Sequence, residues 1–205
     1  MRGQTLAGKS RSMTQGDHVD HPLERLVFFS DAVFAIAITL LVIEIEIPHL
    51  AGKSMAESWQ ELLNLWPSFF GYALSFLVIG RFWIGHHNAF TQIDHYHGRL
   101  AWPNLLLLMA IAFMPFATAF LAANLGHFVP AFTYNLVLLI TAVLSRNIIG
   151  IATRAPLVRA DADPIVLALL RARGTGVILG ALTAVLATFI SPKFSQAALI
   201  TIPLW

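Results

Sequence analysis

The stretch RLVFFSDAVFAIAITLLVI, residues 25–43, decides the fold, because it has the length and composition of a membrane-spanning helix. After its first residue, only Ser30, Asp31 and Thr39 interrupt the apolar run. At about 1.5 Å per residue, such a helix crosses most of a hydrocarbon core roughly 30 Å thick. An unpaired carboxylate in lipid is unfavourable by several kcal/mol. A hydrogen-bonding partner for Asp31 is therefore expected elsewhere in the chain.

The composition of the whole chain supports an integral membrane protein. Of the 205 residues, 57% are hydrophobic and 12% are charged, and the mean hydropathy is +0.71. An ordinary soluble domain carries about 25% charged residues. The chain contains no cysteine, which excludes disulfides and thiolate metal sites.

The apolar runs predict an all-α fold with six transmembrane helices in residues 23–205, after a disordered cytoplasmic tail at 1–22. The predicted spans are approximately 26–47, 62–86, 104–123, 129–151, 174–190 and 194–205. A turn signal at residues 191–193 makes the last two a tight hairpin or, alternatively, a re-entrant pair. Residues 152–173 are predicted to form a cytoplasmic linker with a short interfacial amphipathic helix.

The distribution of lysine and arginine predicts the orientation of the spans. With six spans, all of these residues except Lys53 and Lys193 lie at or near one side. Positive charge favours the cytoplasmic side, so both termini are predicted to be cytoplasmic, in a multi-pass protein of the cell membrane. The loop after the first span is acidic and contains Glu44, Glu46, Glu57 and Glu61. These carboxylates either attract cations to that side of the protein or are simply solvated.

The first predicted helix carries a stripe of four side chains. At about 100° per residue, Ile36, Thr39, Leu40 and Ile43 share one face, and Asp31 points away from it. Such a stripe is equally typical of an ordinary packing face or a lipid-facing surface. The pattern alone therefore does not assign a function.

The motif R-x-x-x-F-S-D at residues 25–31, followed by AVFAIAITLL, resembles the signature of the transmembrane protein 175 family of potassium channels. The likeness to prokaryotic members continues in FWIGHHNAF, residues 82–90, and in the six-span layout. The resemblance implies a homotetrameric, potassium-favouring cation channel in which the first helix lines a central pore. It also implies a hydrophobic constriction instead of a carbonyl selectivity filter. The implied constriction residues are Ile36, Thr39, Leu40 and Ile43.

The expected partners follow from that resemblance. They are further copies of the chain, the lipid bilayer and potassium ions, which would pass transiently near Thr39. No cofactor, no structural metal and no nucleic acid is expected. The chain contains no TVGYG-like filter, so a pore would work without the carbonyl-lined mechanism of other potassium channels.

A structural network is predicted around Asp31. Its candidate partners are Arg25 on the same helix and the polar residues at the end of the second span. The resemblance implies a hydrogen-bonded cluster that fixes the tilt of the pore helix. The predicted members are Arg25, Phe29, Ser30, Asp31, Trp83, His86, His87 and Asn88.

The polar residues also allow interpretations other than a channel. A proton-coupled secondary transporter would use Asp31 and nearby histidines, although the sequence shows no second F-S-D copy. A zinc site in the segment from His86 to His97 has poor ligand spacing, and a pH-sensitive loop is a further explanation of those histidines. An enzyme is not expected, because no nucleophile with a base and an orienting carboxylate stands out.

Overall fold

A computed structural model describes residues 21–193 and residue 195, and in this part of the chain helices are joined by short connections, with no β-strand. Its helices are α1 (His21–Ile43), α2 (Met55–Asn64), α3 (Trp66–Phe90), α4 (Ala101–Ala123), α5 (Phe128–Ala152) and α6 (Pro164–Ile190). A 3₁₀ turn, Gly98–Leu100, precedes α4. The all-α prediction is confirmed for these residues.

Five helical segments are long and apolar enough to cross a membrane. They are α1, α2 together with α3, α4 with its preceding turn, α5 and α6. The sixth predicted span, 194–205, lies outside the described residues apart from Ser195. The predicted hairpin, and its re-entrant alternative, involve the same residues. The predicted tail also lies outside them, except that α1 already begins at His21.

The last described helix begins earlier than the sequence indicated. Helix α6 runs without a break from Pro164 to Ile190 and includes residues 164–173, which had been assigned to the linker. The Asp163 carboxylate accepts a hydrogen bond of 2.8 Å from the backbone N–H of Ile165, and proline is favoured at the first helical position. These start signals outweigh the arginines that suggested a separate interfacial helix.

Helix α2 forms a short amphipathic segment ahead of the second span. Ser54 and Glu57 form a capping box at its start, with Ser54 N–H donating to Glu57 Oε2 over 2.7 Å. No residue of α2 is buried. The proline after Trp66 lies in the first turn of α3, where proline is favoured and a new helix begins.

Helix α4 packs against α1, α3 and α5. Helix α1 contacts α3 and α4, α5 contacts α3 and α4, and α6 packs mainly on α5. Half of the most apolar window of α4 is buried (50%), compared with 22% for α1 and 22% for α6. Helices α1 and α6 therefore lie at the edges of the subunit, where lipid or another subunit can contact them.

Candidate functional site

Helix α1 has two different faces. Ser30, Phe34, Ala37 and Leu41 are buried at intervals of four, three and four residues, which is the spacing of one helical face. This face packs against α3 and α4. It anchors the helix within the subunit and leaves the other side open.

The predicted constriction residues all lie on the open side of α1. Ile36 is 58% exposed, Leu40 is 39% exposed and Ile43 is 72% exposed, and Thr39 is exposed between them. The Thr39 hydroxyl lies 2.9 Å from the Ile36 carbonyl oxygen and 3.0 Å from that of Ala35. Its proton is therefore used locally, while the hydroxyl oxygen retains lone pairs that a cation can approach.

Asp31 finds its partner on α3. The indole N–H of Trp83 donates a hydrogen bond of 2.9 Å to Asp31 Oδ1. The Trp83 ring in turn lies against His87, with ring centroids 5.7 Å apart. Asp31 is half-buried, so this contact joins the two helices without enclosing the carboxylate in the core.

A second polar chain runs deeper between α1, α3 and α4. Ser30 donates to the Leu26 carbonyl oxygen over 2.8 Å, and Asn104 Nδ2 donates to Ser30 Oγ over 2.9 Å. The Asn104 Oδ1 oxygen lies 2.9 Å from His86 Nε2. Ser30, His86 and Asn104 are almost completely buried. These hydrogen bonds therefore link the three helices within the apolar interior.

The orientation of Asn104 assigns the protonation of His86. Because the amide nitrogen of Asn104 donates to Ser30, its oxygen must accept, and His86 Nε2 therefore carries the proton. The Nδ1 atom of His86 is buried and has no hydrogen-bond partner in the described part of the chain. The ring stacks on Phe90 with centroids 4.2 Å apart and approaches Phe34 at 5.6 Å. A neutral imidazole suits this apolar surrounding.

Asn104 is a member of this network that the sequence motif does not predict. The available signal was an amide directly after Pro103 at the start of an otherwise apolar helix. Polar residues inside membrane helices commonly hydrogen-bond across helices. Only the packing of α4 beside both α1 and α3 shows which side chains Asn104 joins.

The remaining members of the predicted network lie apart from these two contacts. Arg25 and Phe29 are exposed and line an open cavity of about 510 Å³ with Tyr96. Within residues 21–193, Arg25 makes no ion pair with Asp31. Asn88 faces a different cavity, beside Arg81. The predicted eight-residue cluster is therefore divided into separate groups.

The histidines of the α3–α4 connection are dispersed in the same way. His95 Nδ1 lies 3.7 Å from the Asp94 carboxylate, and His97 Nδ1 accepts a hydrogen bond of 3.2 Å from the Arg99 backbone. In the part of the chain that the structure describes, no three His, Asp or Glu side chains are placed to hold a metal ion. The zinc alternative gains no support from this geometry.

Known proteins with similar sequences match about half of the chain. The family model "Endosomal/lysosomal potassium channel TMEM175" matches residues 25–115. A potassium channel of Streptomyces collinus is 42% identical over 123 residues, which cover 58% of this chain and 59% of that protein. A more distant relative, the endosomal/lysosomal proton channel TMEM175 of Gallus gallus, is 32% identical over 108 residues, or 49% of this chain and 22% of that protein. The aligned region thus spans less than two thirds of these relatives.

A solved structure matches nearly the whole chain. The crystal structure of a lysosomal potassium-selective channel TMEM175 homolog from Chamaesiphon minutus aligns with a TM-score of 0.78 at 31% sequence identity. The alignment covers 89% of this chain and 95% of that one. With its five membrane-capable helices, this chain is a multi-pass membrane protein. The shared motif region, the helical architecture and this near-complete structural match place the chain in the TMEM175 family.

Proposed function

We propose that the protein is a potassium-favouring cation channel that conducts passively through a pore lined by α1 of a homotetramer. One observation carries the proposal: Ile36, Leu40 and Ile43 are exposed on the side of α1 that faces away from the subunit's own core. The names of the bacterial relative and of the solved structure, both potassium channels, support the choice of ion.

A pore built from this stripe requires several subunits. One subunit presents a single α1 at its edge, so a closed conduit needs copies arranged around an axis, and cyclic symmetry is the usual solution. Four copies would bring the rings of Ile36, Leu40 and Ile43 together at the centre. The buried face of α1 would hold each copy in register with its own subunit.

The chemistry of the stripe suits a hydrophobic constriction. A narrow apolar ring loses its water easily and opposes any ion that must shed its hydration shell. Potassium is larger than sodium and holds its water less tightly, so removing its hydration shell in the constriction would cost less free energy. The Thr39 hydroxyl oxygens would replace part of that hydration between the apolar rings. Glu44 and Glu46, both exposed just beyond α1, would raise the local cation concentration at the mouth.

The proton-coupled transporter remains the alternative function. Its candidate proton carrier, Asp31, is hydrogen-bonded to an indole, which does not titrate. The nearest buried histidine, His86, bonds Asn104 instead of Asp31. This arrangement favours a structural role for both residues. Because a vertebrate relative is named a proton channel, proton flux should be measured alongside potassium flux.

Flux into liposomes tests the proposal. Purified protein would be compared under potassium, sodium and proton gradients as wild type, Ile36→Asn and Val42→Asn. Val42 is a matched control, because it is also apolar and 53% exposed on α1 but lies off the stripe. We expect electrogenic potassium flux that becomes faster and less selective in Ile36→Asn only. Flux that requires a proton gradient and does not respond to Ile36→Asn would reject the channel and favour the transporter.

A further inference from the structure

A cavity lined by arginine lies away from α1, between α3, α5 and α6. Its volume is about 280 Å³, and its polar lining consists of Arg81 and Asn88 from α3, Ser145 from α5 and Arg173 from α6. Among residues 21–193, no carboxylate lines it. Arg81 is half-buried and Arg173 lies at the exposed rim. The cavity therefore combines two positive charges with two neutral hydrogen-bonding side chains.

Neither guanidinium of the cavity is neutralised by the protein. Within residues 21–193, neither Arg81 nor Arg173 makes a hydrogen bond or an ion pair, and the two charges repel each other. Two neighbouring arginines do form hydrogen bonds with other side chains. Arg146 donates to Thr175 Oγ1 over 3.2 Å, and Arg171 donates to Thr153 Oγ1 over 2.8 Å.

The acidic side chains at this end of the molecule are engaged elsewhere. Backbone hydrogen bonds from Arg159 to Gln92 and from Asp94 to Leu157 join the connection after α3 to the connection before α6. The three carboxylates of these connections are Asp94, Asp161 and Asp163. Asp161 pairs with Arg159 at 3.0 Å, Asp163 caps α6, and Asp94 lies beside His95. None of them contributes to the cavity.

In a bilayer crossed by α3 and α6, the cavity would lie in the third of the hydrocarbon layer that is farthest from Trp66 and Ile190. Counted from Ile190 at the far end of α6, Arg173 lies about 26 Å along the helix, and Arg81 lies about 23 Å from Trp66. The hydrocarbon core is about 30 Å thick. The Arg81 side chain also extends over Gly85, where its Nη1 atom lies 3.5 Å from the position a Cβ would take. It thus points toward the end of α3, where lipid headgroups begin.

We propose that this cavity binds an anionic phosphate group, held by the guanidinium groups of Arg81 and Arg173. Arginine offers several N–H donors in a planar fork that matches phosphate oxygens. Asn88 and Ser145 supply further donors beside the two charges. Basic pockets between membrane helices bind the headgroups of anionic lipids. The phosphate comes either from such a lipid or from a soluble phosphate, and the chemistry of the site is the same for both.

Binding to the full-length protein in detergent micelles tests the proposal. The probes are phosphatidylglycerol, zwitterionic phosphatidylcholine, and inorganic phosphate against chloride at equal ionic strength, and the readout is the unfolding temperature. The double variant Arg81→Gln/Arg173→Gln removes both charges, and the corresponding double Lys variant keeps them. Arg159→Gln serves as the control, since Arg159 is exposed and paired with Asp161.

We expect phosphatidylglycerol to raise the unfolding temperature of the wild type and of Arg159→Gln, and to leave the double Gln variant unchanged. The double Lys variant should recover part of the shift. Each single Gln variant should weaken binding about tenfold, and these variants serve if the double variant does not fold. A response to inorganic phosphate without lipid would identify a soluble phosphate as the ligand. Equal shifts in all variants, or no shift with any probe, would overturn the proposal.

Discussion

Asn104 uses both ends of its amide in an otherwise apolar layer. Its nitrogen donates to Ser30 and its oxygen pairs with His86, so one side chain of α4 joins α1 to α3. Water is absent from such a layer, and a polar atom that loses its partner there stays unsatisfied. The residue contributes specificity as well as free energy, because its two hydrogen bonds form only when α4 lies beside both α1 and α3.

Replacing Asn104 with alanine should therefore destabilise the subunit. We expect a loss of about 1 to 2 kcal/mol, since two hydrogen bonds are broken and interhelical bonds in membranes are individually modest. Asn64→Ala is the control, because Asn64 is exposed and bonds only Gln60 within its own helix. Reversible unfolding in mixed micelles, followed by helical circular dichroism, measures both. Equal losses of unfolding free energy in the two variants would show that the buried hydrogen bonds of Asn104 do not stabilise the protein.

Trp83→Phe should weaken the contact between α1 and α3. The substitution keeps an aromatic ring and removes the N–H that donates to Asp31. We expect a loss of about 1 to 3 kcal/mol and less assembled protein. Trp102→Phe should have little effect, because Trp102 is 74% exposed. Size-exclusion chromatography and unfolding in micelles measure the two effects.

Asp31→Asn separates charge from hydrogen bonding at the same contact. Asparagine keeps an oxygen that can accept from Trp83, so it should be tolerated better than Asp31→Leu. Normal assembly of Trp83→Phe together with altered ion selectivity would contradict the structural role assigned to Asp31.

At the scale of the elements, α6 shows how one glycine permits close helix packing. A Cβ on Gly174 would lie 2.8 Å from Arg146 Cδ, 3.4 Å from Ile149 Cδ1 and 3.8 Å from the Arg146 Cα atom. The last distance is ordinary van der Waals contact, so the obstruction comes from the Arg146 side chain, which donates a hydrogen bond to Thr175 on α6. A side chain at position 174 therefore has to displace Arg146 from its place between α5 and α6.

Gly174→Val should separate α5 from α6. We expect a destabilisation of about 1 to 3 kcal/mol, because the added methyl groups overpack the contact. Gly80→Val is the matched control, since a Cβ on Gly80 meets nothing within 4 Å. The free energy of unfolding of both variants in micelles provides the test. A larger loss in Gly80→Val would indicate that the α5–α6 contact tolerates the change.

At the scale of the whole molecule, α1 forms an open edge that lipid or other subunits can cover. Much of its exposed surface is apolar, and in a bilayer such a surface is satisfied equally by lipid or by protein. The homotetramer proposed for this protein predicts a particle of about 90 kDa, four times the 22.5 kDa of one chain. Native mass spectrometry after release from micelles measures this mass. A monomer that still supports potassium flux would exclude a pore shared between α1 helices.

The sequence by itself determined the membrane class, the all-α fold and the family, because each depends on local patterns. Long apolar runs require helices that satisfy their own backbone in lipid, and the R-x-x-x-F-S-D motif is contiguous at residues 25–31. The face that carries Ile36 and Ile43 could also be read from the helical repeat. The start of α6 was predicted too late, because its capping signal competed with nearby arginines.

Only the tertiary structure decided which polar groups meet. The choice of Trp83 for Asp31 and the role of Asn104 depend on how α1, α3 and α4 pack, and the arginine cavity depends on α3, α5 and α6. These side chains are far apart in the sequence, so no periodicity links them. Each contact requires two helices to be at one distance, rotation and depth, and these quantities are set by the packing of the entire core.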